Sequence, residues 1–316
     1  MADNKDIKVA AVVVTYNRLQ LLKECIEALR NQTYKNLDLV IVNNGSNNGS
    51  TDGTGEWLAT QKDLIVITQA NLGGAGGFNT GMRYAAEHDY EYCWVMDDDV
   101  ICDANALQEF FNSFSIVGEN FGFLCSSVFD KFGNPCNVPS VLPASKLGYP
   151  DWPKYLDNGI VKVIIATFVS VFVPTKNIRE YGLPIKDFFI WGDDYEFTFR
   201  MSKHLPCYMI GKSQVNHMRE MAKGLIFLNE TNPNRIKMYK YMYRNGFYNA
   251  RNGCSVSNYP LILYMKGCFS IFIKGLIRFK FKHLGVLIQG LSAALFFHPT
   301  IEFPESKENN LVVTKL

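Results

Sequence analysis

The sequence lacks several features that would mark other classes of protein. Its eight cysteines form no C-x-x-C pair and no regular framework, which argues against a disulfide scaffold and favours reduced thiols in a cytosolic protein. Residues 1–8 are polar and contain no apolar core of a secretory signal. The apolar stretch 163–173 is too short to span a bilayer, and the run 261–273 is interrupted by Lys266, so we expect no segment that crosses a membrane.

Acidic residues are absent from one long part of the chain. Between Glu230 and Glu302 there is no Asp or Glu, whereas ten basic residues occur there, although the whole chain has a net charge of only +2. The segment also mixes aromatic residues with long apolar stretches. This combination favours amphipathic helices on an anionic membrane surface over a packed helical subdomain whose charges merely face water. No recognised nucleic-acid-binding motif accompanies the charge, so we expect no nucleic-acid partner.

Apolar runs and helical patterns alternate along the first part of the chain. With 316 residues, 47% of them hydrophobic, and a mean hydropathy of −0.04, the chain can bury the core of one large or two smaller domains. Strands are predicted at residues 9–14, 38–42 and 64–67, and helices at 18–30 and 52–60. The alternation predicts a parallel sheet with helices on both faces and with ligands at the carboxyl ends of its strands.

A polar segment follows the carboxyl end of each predicted strand. These segments are residues 15–18, residues 43–46, residues 71–77 and the aspartates 97–99. Because the carboxyl ends of parallel strands lie along one edge of a sheet, we expect these four segments to converge.

Three adjacent aspartates end an apolar run. Residues 92–96 are apolar, and Asp97, Asp98 and Asp99 follow directly. Three like charges at the end of a buried strand resist desolvation unless a positive group compensates them. Carboxylate ligands without nearby sulfur favour Mg²⁺ or Mn²⁺ with open positions for substrate phosphates. A solvated acidic turn or an adventitious Ca²⁺ site explains an isolated triplet about equally well.

A glycine-rich segment follows the third strand. Residues 73–77 contain four glycines, and a helical pattern comes next. Glycine permits close backbone approach, and a helix N-terminus favours anions. The Gly-Lys-Ser/Thr ending of a P-loop is missing, and the dinucleotide pattern G-x-G-x-x-G fails at Asn79. On its own this segment indicates loop packing rather than a diphosphate site.

A second acidic cluster lies further along the chain. Asp193, Asp194 and Glu196 follow Trp191 and begin a helical pattern, where acids can simply complement the helix dipole. Interaction of acids with the helix dipole does not explain the presence of Trp191. His217 alone would be a structural histidine, but two upstream acidic clusters make it a candidate metal ligand.

Together these segments resemble the inverting family 2 glycosyltransferases, above all the bacterial galactofuranosyl and rhamnosyl transferases. The resemblance covers about residues 8–220 and rests on order and spacing. Its motifs are V-V-V-T-Y-N-R (12–18), V-N-N-G-S (42–46), T-D-G-T (51–54), N-L-G-G-A-G-G-F (71–78), D-D-D (97–99) and D-D-Y-E (193–196). It implies a Rossmann-like α/β fold of the GT-A type, with a mostly parallel central sheet. The catalytic domain would span residues 1–225, and residues 226–316 would form a basic helical region for acceptor or membrane-surface contact.

The resemblance also implies roles for individual residues. Asp97, Asp99 and His217 would hold Mn²⁺ or Mg²⁺ on the donor diphosphate, and Asp194 would be the general base. The donor would lie against Thr15, Tyr16, Asn17, Arg18, Asn43, Asn71, Gly74, Gly76, Gly77, Asn79 and Asp98. The transferred sugar and the acceptor would lie against Trp191, Asp193 and Arg244.

Two positions depart from the family pattern. Asp193 stands where the usual motif has glutamate. Asn43 stands where the family usually has an aspartate that reads the uracil or thymine edge. Because an amide both donates and accepts, Asn43 can still bind a pyrimidine.

The function implied is transfer of galactofuranose from UDP-galactofuranose to a glycan or polyprenyl-diphosphate-linked acceptor in cell-surface polysaccharide synthesis. The enzyme would be peripheral on the inner face of the cytoplasmic membrane. Within the class, rhamnose transfer from dTDP-rhamnose is the alternative. A sugar-phosphate nucleotidyltransferase would also use a metal at a strand end, but it leaves residues 191–196 unexplained. A noncatalytic carbohydrate-binding or scaffold protein is the third interpretation.

Overall fold

The computed structural model describes residues 7–45, 52–142, 150–218 and 226–305. Its strands are β1 (Val9–Thr15), β2 (Leu37–Asn44), β3 (Leu64–Gln69), β4 (Tyr92–Asp97), β5 (Val100–Cys102), β6 (Leu124–Asp130), β7 (Ile160–Val163), β8 (Val171–Pro174) and β9 (Cys207–His217). Its α-helices are α1 (Leu19–Arg30), α2 (Thr54–Thr60), α3 (Gly73–Glu87), α4 (Ala106–Val117), α5 (Thr175–Tyr181), α6 (Asp193–Ser202), α7 (Pro233–Arg251), α8 (Pro260–Ile277) and α9 (Phe281–Leu295).

One mixed sheet joins these strands in the order β3-β2-β1-β4-β8-β6-β9-β5, and β7 pairs with β9. The half from β3 to β4 is parallel throughout, as the alternation of strands and helices predicts. Beyond β4 the sheet changes character, because β8 is antiparallel to both β4 and β6, while β6 and β9 are parallel. The α/β fold is confirmed, and the parallel description holds for the first half only.

The central strand β1 is buried over its whole length. Successive side chains point to opposite faces, so Val9, Ala11 and Val13 join the core beneath α1 and α4. Val12 and Val14 join the second core, beneath α3. Because both faces are covered, the strand is a continuous apolar run rather than an alternating one.

The glycine-rich segment is the beginning of α3 and not a loop, which corrects the prediction. Close packing accounts for this helix start. A Cβ on Gly77 would lie 2.4 Å from a Val14 methyl group, and one on Gly81 would lie 2.2 Å from Val12. Gly73 has a φ of +73° and approaches the Phe189 carbonyl too closely for any side chain. Contact with the sheet therefore outweighs the low helix propensity of glycine.

The last three helices form a small core of their own, centred on Tyr239, Tyr243 and Leu287. The chain then returns to the sheet-bearing part, where Glu302 accepts from Arg83 at 2.8 Å and its carbonyl accepts from Leu183 N at 2.8 Å. The domain boundary after residue 225 stays a prediction, and residues 219–225 lie outside the described ranges.

Helix α8 differs from what the sequence led us to expect. Among the described residues it is the one helix long and apolar enough to cross a membrane, and 11% of it is buried. Lys266 therefore does not interrupt the apolar helix, because one lysine does not offset the apolar residues around it. The expectation that no segment crosses a membrane stays a prediction.

Candidate functional site

The carboxyl edge of the sheet brings the predicted polar segments together. Thr15 at the end of β1 is in register with Asn43 of β2, and Val14 is in register with Asp97 of β4. From the far half of the sheet, His217 at the end of β9 pairs with Val100, the residue directly after the Asp triplet. The convergence expected for parallel strands is therefore present in the structure, and a distant strand adds the histidine to it.

Asp97, Asp99 and His217 form a group suited to a metal ion. One ligand atom from each lies within 4.8 Å of those of the other two. Asp97 is the last residue of β4, and Asp99 follows in the turn before β5. Carboxylate oxygens are donors that Mn²⁺ and Mg²⁺ prefer, and a neutral imidazole nitrogen is a common metal ligand.

The hydrogen bonds of His217 fit this interpretation. Its Nδ1 lies 3.0 Å from the Asn137 amide oxygen. Because that oxygen only accepts, Nδ1 donates to it, and Nε2 faces the carboxylates. Nε2 is 3.1 Å from Asp99 Oδ1, a buried oxygen with no other partner within the described part of the chain. When Nε2 carries a proton it can donate to Asp99, and when it does not, Nε2 and the carboxylate oxygen are two donor atoms that a divalent cation can join.

The electrostatics of the triplet also fit a cation. Burial and the Asp99 charge raise the pKa of Asp97 to about 8, and burial raises the pKa of Asp98 to about 6 although Arg18 opposes the rise. Burial would raise the pKa of Asp99 too, but His217 and Arg18 lower it below the ordinary value. The three carboxylates therefore cannot all ionise without further positive charge.

Asp98 and Arg18 tie the first loop to the triplet. Asp98 accepts from Thr15 Oγ1 at 2.7 Å, and Arg18 donates to Asp99 at 2.7 Å and to Asp98 at 3.3 Å. The Arg18 side chain is half exposed, so part of its guanidinium faces solvent at the cleft. Tyr16 is exposed, and Asn17 forms the turn with a φ of +51°.

A buried asparagine that was not among the predicted site residues shapes the start of α3. Asn44 donates to the Gly73 carbonyl at 2.8 Å and accepts from Leu72 N at 3.1 Å. The predicted donor-binding residue Asn71 accepts from Gly73 N at 2.9 Å. Asn43 is buried beside them. Residues 46 and 51, from the motifs on this edge, lie outside the described ranges.

The residues of α3 predicted to bind the donor divide into two groups. Gly74 faces open space, since a Cβ added there would have no heavy atom within 4 Å, so a ligand in the cleft can approach its backbone. Gly76 and Gly77 instead make close packing contacts with Leu72 and Val14. Asn79 is buried and donates to the Pro184 carbonyl at 2.8 Å. Packing therefore explains Gly76, Gly77 and Asn79 without a donor role.

The second acidic cluster begins α6. Asp193 is buried, and Asp194 accepts from the Tyr195 backbone N–H at 2.8 Å. Burial raises the pKa of Asp194 to about 6, while backbone N–H groups oppose the rise. Burial and the Asp194 charge raise the pKa of Asp193 well above its usual range. Burial therefore raises the pKa of both carboxylates, and the pKa of Asp193 rises further.

The turn at residues 188–192, just before α6, is strained and held by α7. Phe189 and Trp191 both have a φ of +63°, which is uncommon for bulky residues. The Asn245 amide donates to three main-chain carbonyls of this turn at 2.8 to 3.0 Å. Asn249 donates to a fourth at 2.9 Å. No sequence pattern in α7 marks these two asparagines, so neither was predicted.

Trp191 and Tyr195 border a cavity of about 350 Å³ between α6, α7 and α8. The lining is mainly apolar and includes Met242, Leu263 and Tyr264. Asp193 and Asp194 lie between Trp191 and Tyr195 in the chain. The sugar or acceptor contact of Trp191 stays a prediction.

Arg244 has a structural role that the sequence did not indicate. It donates to the carbonyls of Asp187 and Phe188, and its guanidinium lies 3.8 Å from the Phe297 ring centre. Burial lowers the pKa of Arg244. Its guanidinium therefore contacts the 187–188 backbone and an aromatic face, and the contact with an acceptor diphosphate stays a prediction.

Comparison with known proteins shows which family part of the chain is similar to. Residues 10–129 match the family described as Glycosyl transferase family 2. Glycosyltransferase GlyG of Streptococcus pneumoniae is 31% identical over 101 residues, covering 32% of this chain and 33% of that protein. Galactofuranosyltransferase GlfT1 of Mycolicibacterium smegmatis is 35% identical over 94 residues, covering 29% and 30%. The chain therefore matches only about a third of the length of these relatives.

Solved structures share the fold at low identity. The structure of GalNAc-T7 with UDP, GalNAc and Mn²⁺ has a TM-score of 0.54 at 13% identity, covering 80% of this chain and 52% of that one. TarS of S. aureus has a TM-score of 0.50 at 15% identity, covering 78% and 45%. These likenesses confirm the GT-A fold. Residues 10–129 are therefore similar to glycosyl transferase family 2, within an α/β fold of the GT-A type.

Proposed function

We propose that the protein is an inverting, metal-dependent glycosyltransferase that uses a nucleoside diphosphate sugar. The observation that carries this proposal is the group of Asp97, Asp99 and His217 at the carboxyl edge of the sheet, with a buried oxygen of Asp99 3.1 Å from Nε2 of His217. These three residues would hold Mn²⁺ or Mg²⁺. When bound, the cation would neutralise charge on the leaving diphosphate.

Arg18 is the positive side chain best placed to meet the diphosphate. It lies 2.7 Å from Asp99 and is half exposed. With a cation compensating the carboxylates, Arg18 can turn its N–H groups to the phosphate oxygens. Gly74 leaves the backbone at the start of α3 open to the same group.

Asp194 would remove the proton from the acceptor hydroxyl. The oxygen so activated attacks the anomeric carbon from the face opposite the diphosphate, the bond to the diphosphate breaks, and the anomeric centre inverts. Asp193 stays protonated beside it, because two adjacent buried carboxylates do not both ionise. Only Asp194 is then available as the base.

For the donor we propose UDP-galactofuranose, with dTDP-rhamnose as the alternative. Support comes from the partial likeness to GlfT1 and from the UDP in the GalNAc-T7 structure. Asn43 is buried at the end of β2, in register with Thr15, where a base edge could meet its amide.

For the acceptor we propose a glycan on a polyprenyl diphosphate carrier, used in cell-surface polysaccharide synthesis. The enzyme would then work as a peripheral protein on the inner face of the cytoplasmic membrane. The basic segment between Glu230 and Glu302 supports this location, because it carries no acidic residue that anionic lipid would repel.

A donor panel tests the proposal. Purified protein is mixed with UDP-, dTDP- and GDP-sugars, with Mn²⁺ or with a chelator, and thermal stability and nucleotide release are measured. We expect stabilisation by a UDP-sugar only with the cation, and release of UDP when an acceptor is present. Release of pyrophosphate from a nucleoside triphosphate and a sugar phosphate would indicate a nucleotidyltransferase instead, and no response to any nucleotide would remove the proposal.

A further inference from the structure

Helix α8 has two faces with different surroundings. One face packs on its neighbours: Tyr264 donates to the Tyr243 carbonyl at 2.9 Å, Cys268 is buried, and Gly275 contacts Leu284. The opposite face carries exposed apolar residues three or four positions apart, which places them in one row along the helix. This α8 stripe consists of Ile262, Met265, Phe269, Ile273 and Leu276.

The turn from α8 to α9 continues the stripe with alternating aromatic and basic residues. Phe279 and Phe281 are 78% and 64% exposed, and Arg278, Lys280 and Lys282 alternate with them. We call residues 278–282 the α8–α9 tip. Past α9, Phe296 is 86% exposed. Isolated apolar side chains on a surface need no explanation, but a continuous row of this kind marks an interaction site.

The charge around these residues identifies the partner. Lys266 and Lys274 lie on α8 beside the stripe, and the segment from residue 231 to 301 contains no acid. A protein partner is usually met by charges of both signs. Basic residues bordering an apolar row, with aromatic residues at a tip, match anionic lipid headgroups above the acyl boundary.

We propose that the α8 stripe and the α8–α9 tip insert into the surface of an anionic membrane, with α8 lying in the membrane plane. A spanning arrangement would require α8 to leave α7 and α9. That would break the Tyr264 hydrogen bond and expose the small core at Tyr243 and Leu287. The in-plane arrangement buries the exposed row and leaves that core intact.

With α8 in the membrane plane, one end of the helix connects the membrane surface with the cavity bordered by Trp191 and Tyr195. This cavity is also lined by Pro260 and Leu263 in the first turn of α8. A lipid-linked acceptor held at the membrane would therefore approach this cavity, beside Trp191 and Tyr195, along α8. This inference rests on the proposed membrane-surface location and not on the identity of the donor or the reaction.

Vesicle flotation of the full chain tests the inference. Vesicles of phosphatidylcholine, with and without phosphatidylglycerol, are used at about 0.1 M salt, where exposed charges are only partly screened. We expect flotation with the anionic vesicles. The triple variant Phe269→Ser, Phe279→Asn and Phe281→Ser should bind at least about tenfold more weakly, because it removes buried apolar area. Asparagine is used at residue 279 because its φ is +53°.

Matched variants separate the two contributions. Phe132→Ser removes a phenylalanine that is 71% exposed elsewhere, so it should leave flotation unchanged. Lys280→Gln and Lys282→Gln should each weaken binding about fivefold at low salt. The thermal shift with UDP and Mn²⁺, measured on every variant, shows whether the fold and the cleft are intact.

Four outcomes would overturn the inference. They are absence of flotation with anionic vesicles, unchanged flotation of the triple variant, resistance of the bound protein to alkaline carbonate extraction, and a dimer in solution that the triple variant dissociates. The third indicates a spanning helix, and the fourth indicates that a second copy covers the stripe. Transfer to a water-soluble acceptor is measured separately, so loss of that activity would count against the proposed function and not against the membrane element.

Discussion

The two acidic clusters contain the same side chain in opposite settings. Asp97 to Asp99 end a strand, and their neighbours Arg18 and His217 come from distant parts of the chain. Asp193 and Asp194 begin a helix, and the partners of Asp194 are backbone N–H groups. Because the partners of the first cluster are side chains, a metal ion can take the place of the Arg18 guanidinium beside the carboxylates. In the second cluster, backbone N–H groups oppose the rise that burial causes in the pKa of Asp194, the proposed base.

The largest effect is expected from removing a ligand of the first cluster. Asp99→Ala should lower turnover by about 10³ or more, because a bound cation contributes several kcal/mol to stabilisation of the leaving group. It should also abolish Mn²⁺-dependent UDP binding, measured by calorimetry. Asp103→Ala removes an exposed carboxylate nearby and should change neither quantity. Binding equal to that of the unchanged protein would place the cation elsewhere.

The second cluster should respond differently. Asp194→Asn should lower turnover by about 10² to 10⁴, the usual contribution of a general base, while UDP binding with Mn²⁺ is retained. Asp187→Asn, at an exposed position of the same segment, is the control and should be nearly neutral. An Asp194→Asn enzyme with normal turnover would remove Asp194 from the mechanism.

The pH profile sharpens the same assignment. The pKa of Asp194 is raised to about 6, so its base form is lost as the pH falls through that value. We expect the rate at saturating substrates to fall about tenfold per pH unit below the pKa and to be level above it. The profile of Asp194→Asn should lack this inflection, and an inflection that persists in the variant would belong to another group.

A smaller effect is expected at Asn137, which orients His217. Asn137→Gly removes the acceptor at a position with a φ of +47° that glycine tolerates, and should weaken Mn²⁺ binding about 10- to 100-fold. Asn137→Asp keeps an acceptor oxygen and should restore most of the affinity. Equal affinity in both variants would mean that the hydrogen bond to Nδ1 does not position the ligand.

The smallest effect is expected where α7 holds the turn before the base. Asn245→Ala removes hydrogen bonds to three carbonyls of a strained turn, so we expect kcat to fall about tenfold with the donor KM unchanged. Asn252→Ala removes a single bond to the Tyr248 carbonyl at the exposed carboxyl end of α7 and is the control. A change in KM alone would assign Asn245 to donor binding.

The parts of the fold predictable from sequence are those fixed by local pattern. Continuous apolar runs alternating with helical spacing indicated the parallel half of the sheet, and strand ends on one edge followed from it. The antiparallel pairings of β8 and β5 depend on residues far apart in the chain, which a local pattern does not encode. Contact with Val14 and Phe189 overrides glycine propensity at the start of α3.

The residues of the candidate site also fall into those that the sequence could predict and those that it could not. Asp97, Asp99 and His217 were identified by residue type and order, and the structure brings them together. Asn137, Asn44 and Asn245 were missed because each acts through a hydrogen bond to a distant segment and carries no local signal. The contacts of Arg244 with carbonyls and a ring also carry no local signal, and its acceptor role stays a prediction.

The most direct test is a crystal structure of the protein with UDP and Mn²⁺, using anomalous scattering to locate the metal. We expect one strong peak bounded by Asp97, Asp99 and His217, in contact with the diphosphate, with Arg18 moved away from Asp99 towards the phosphates. A diphosphate bound away from these residues, or a peak on other ligands, would contradict the proposed metal site.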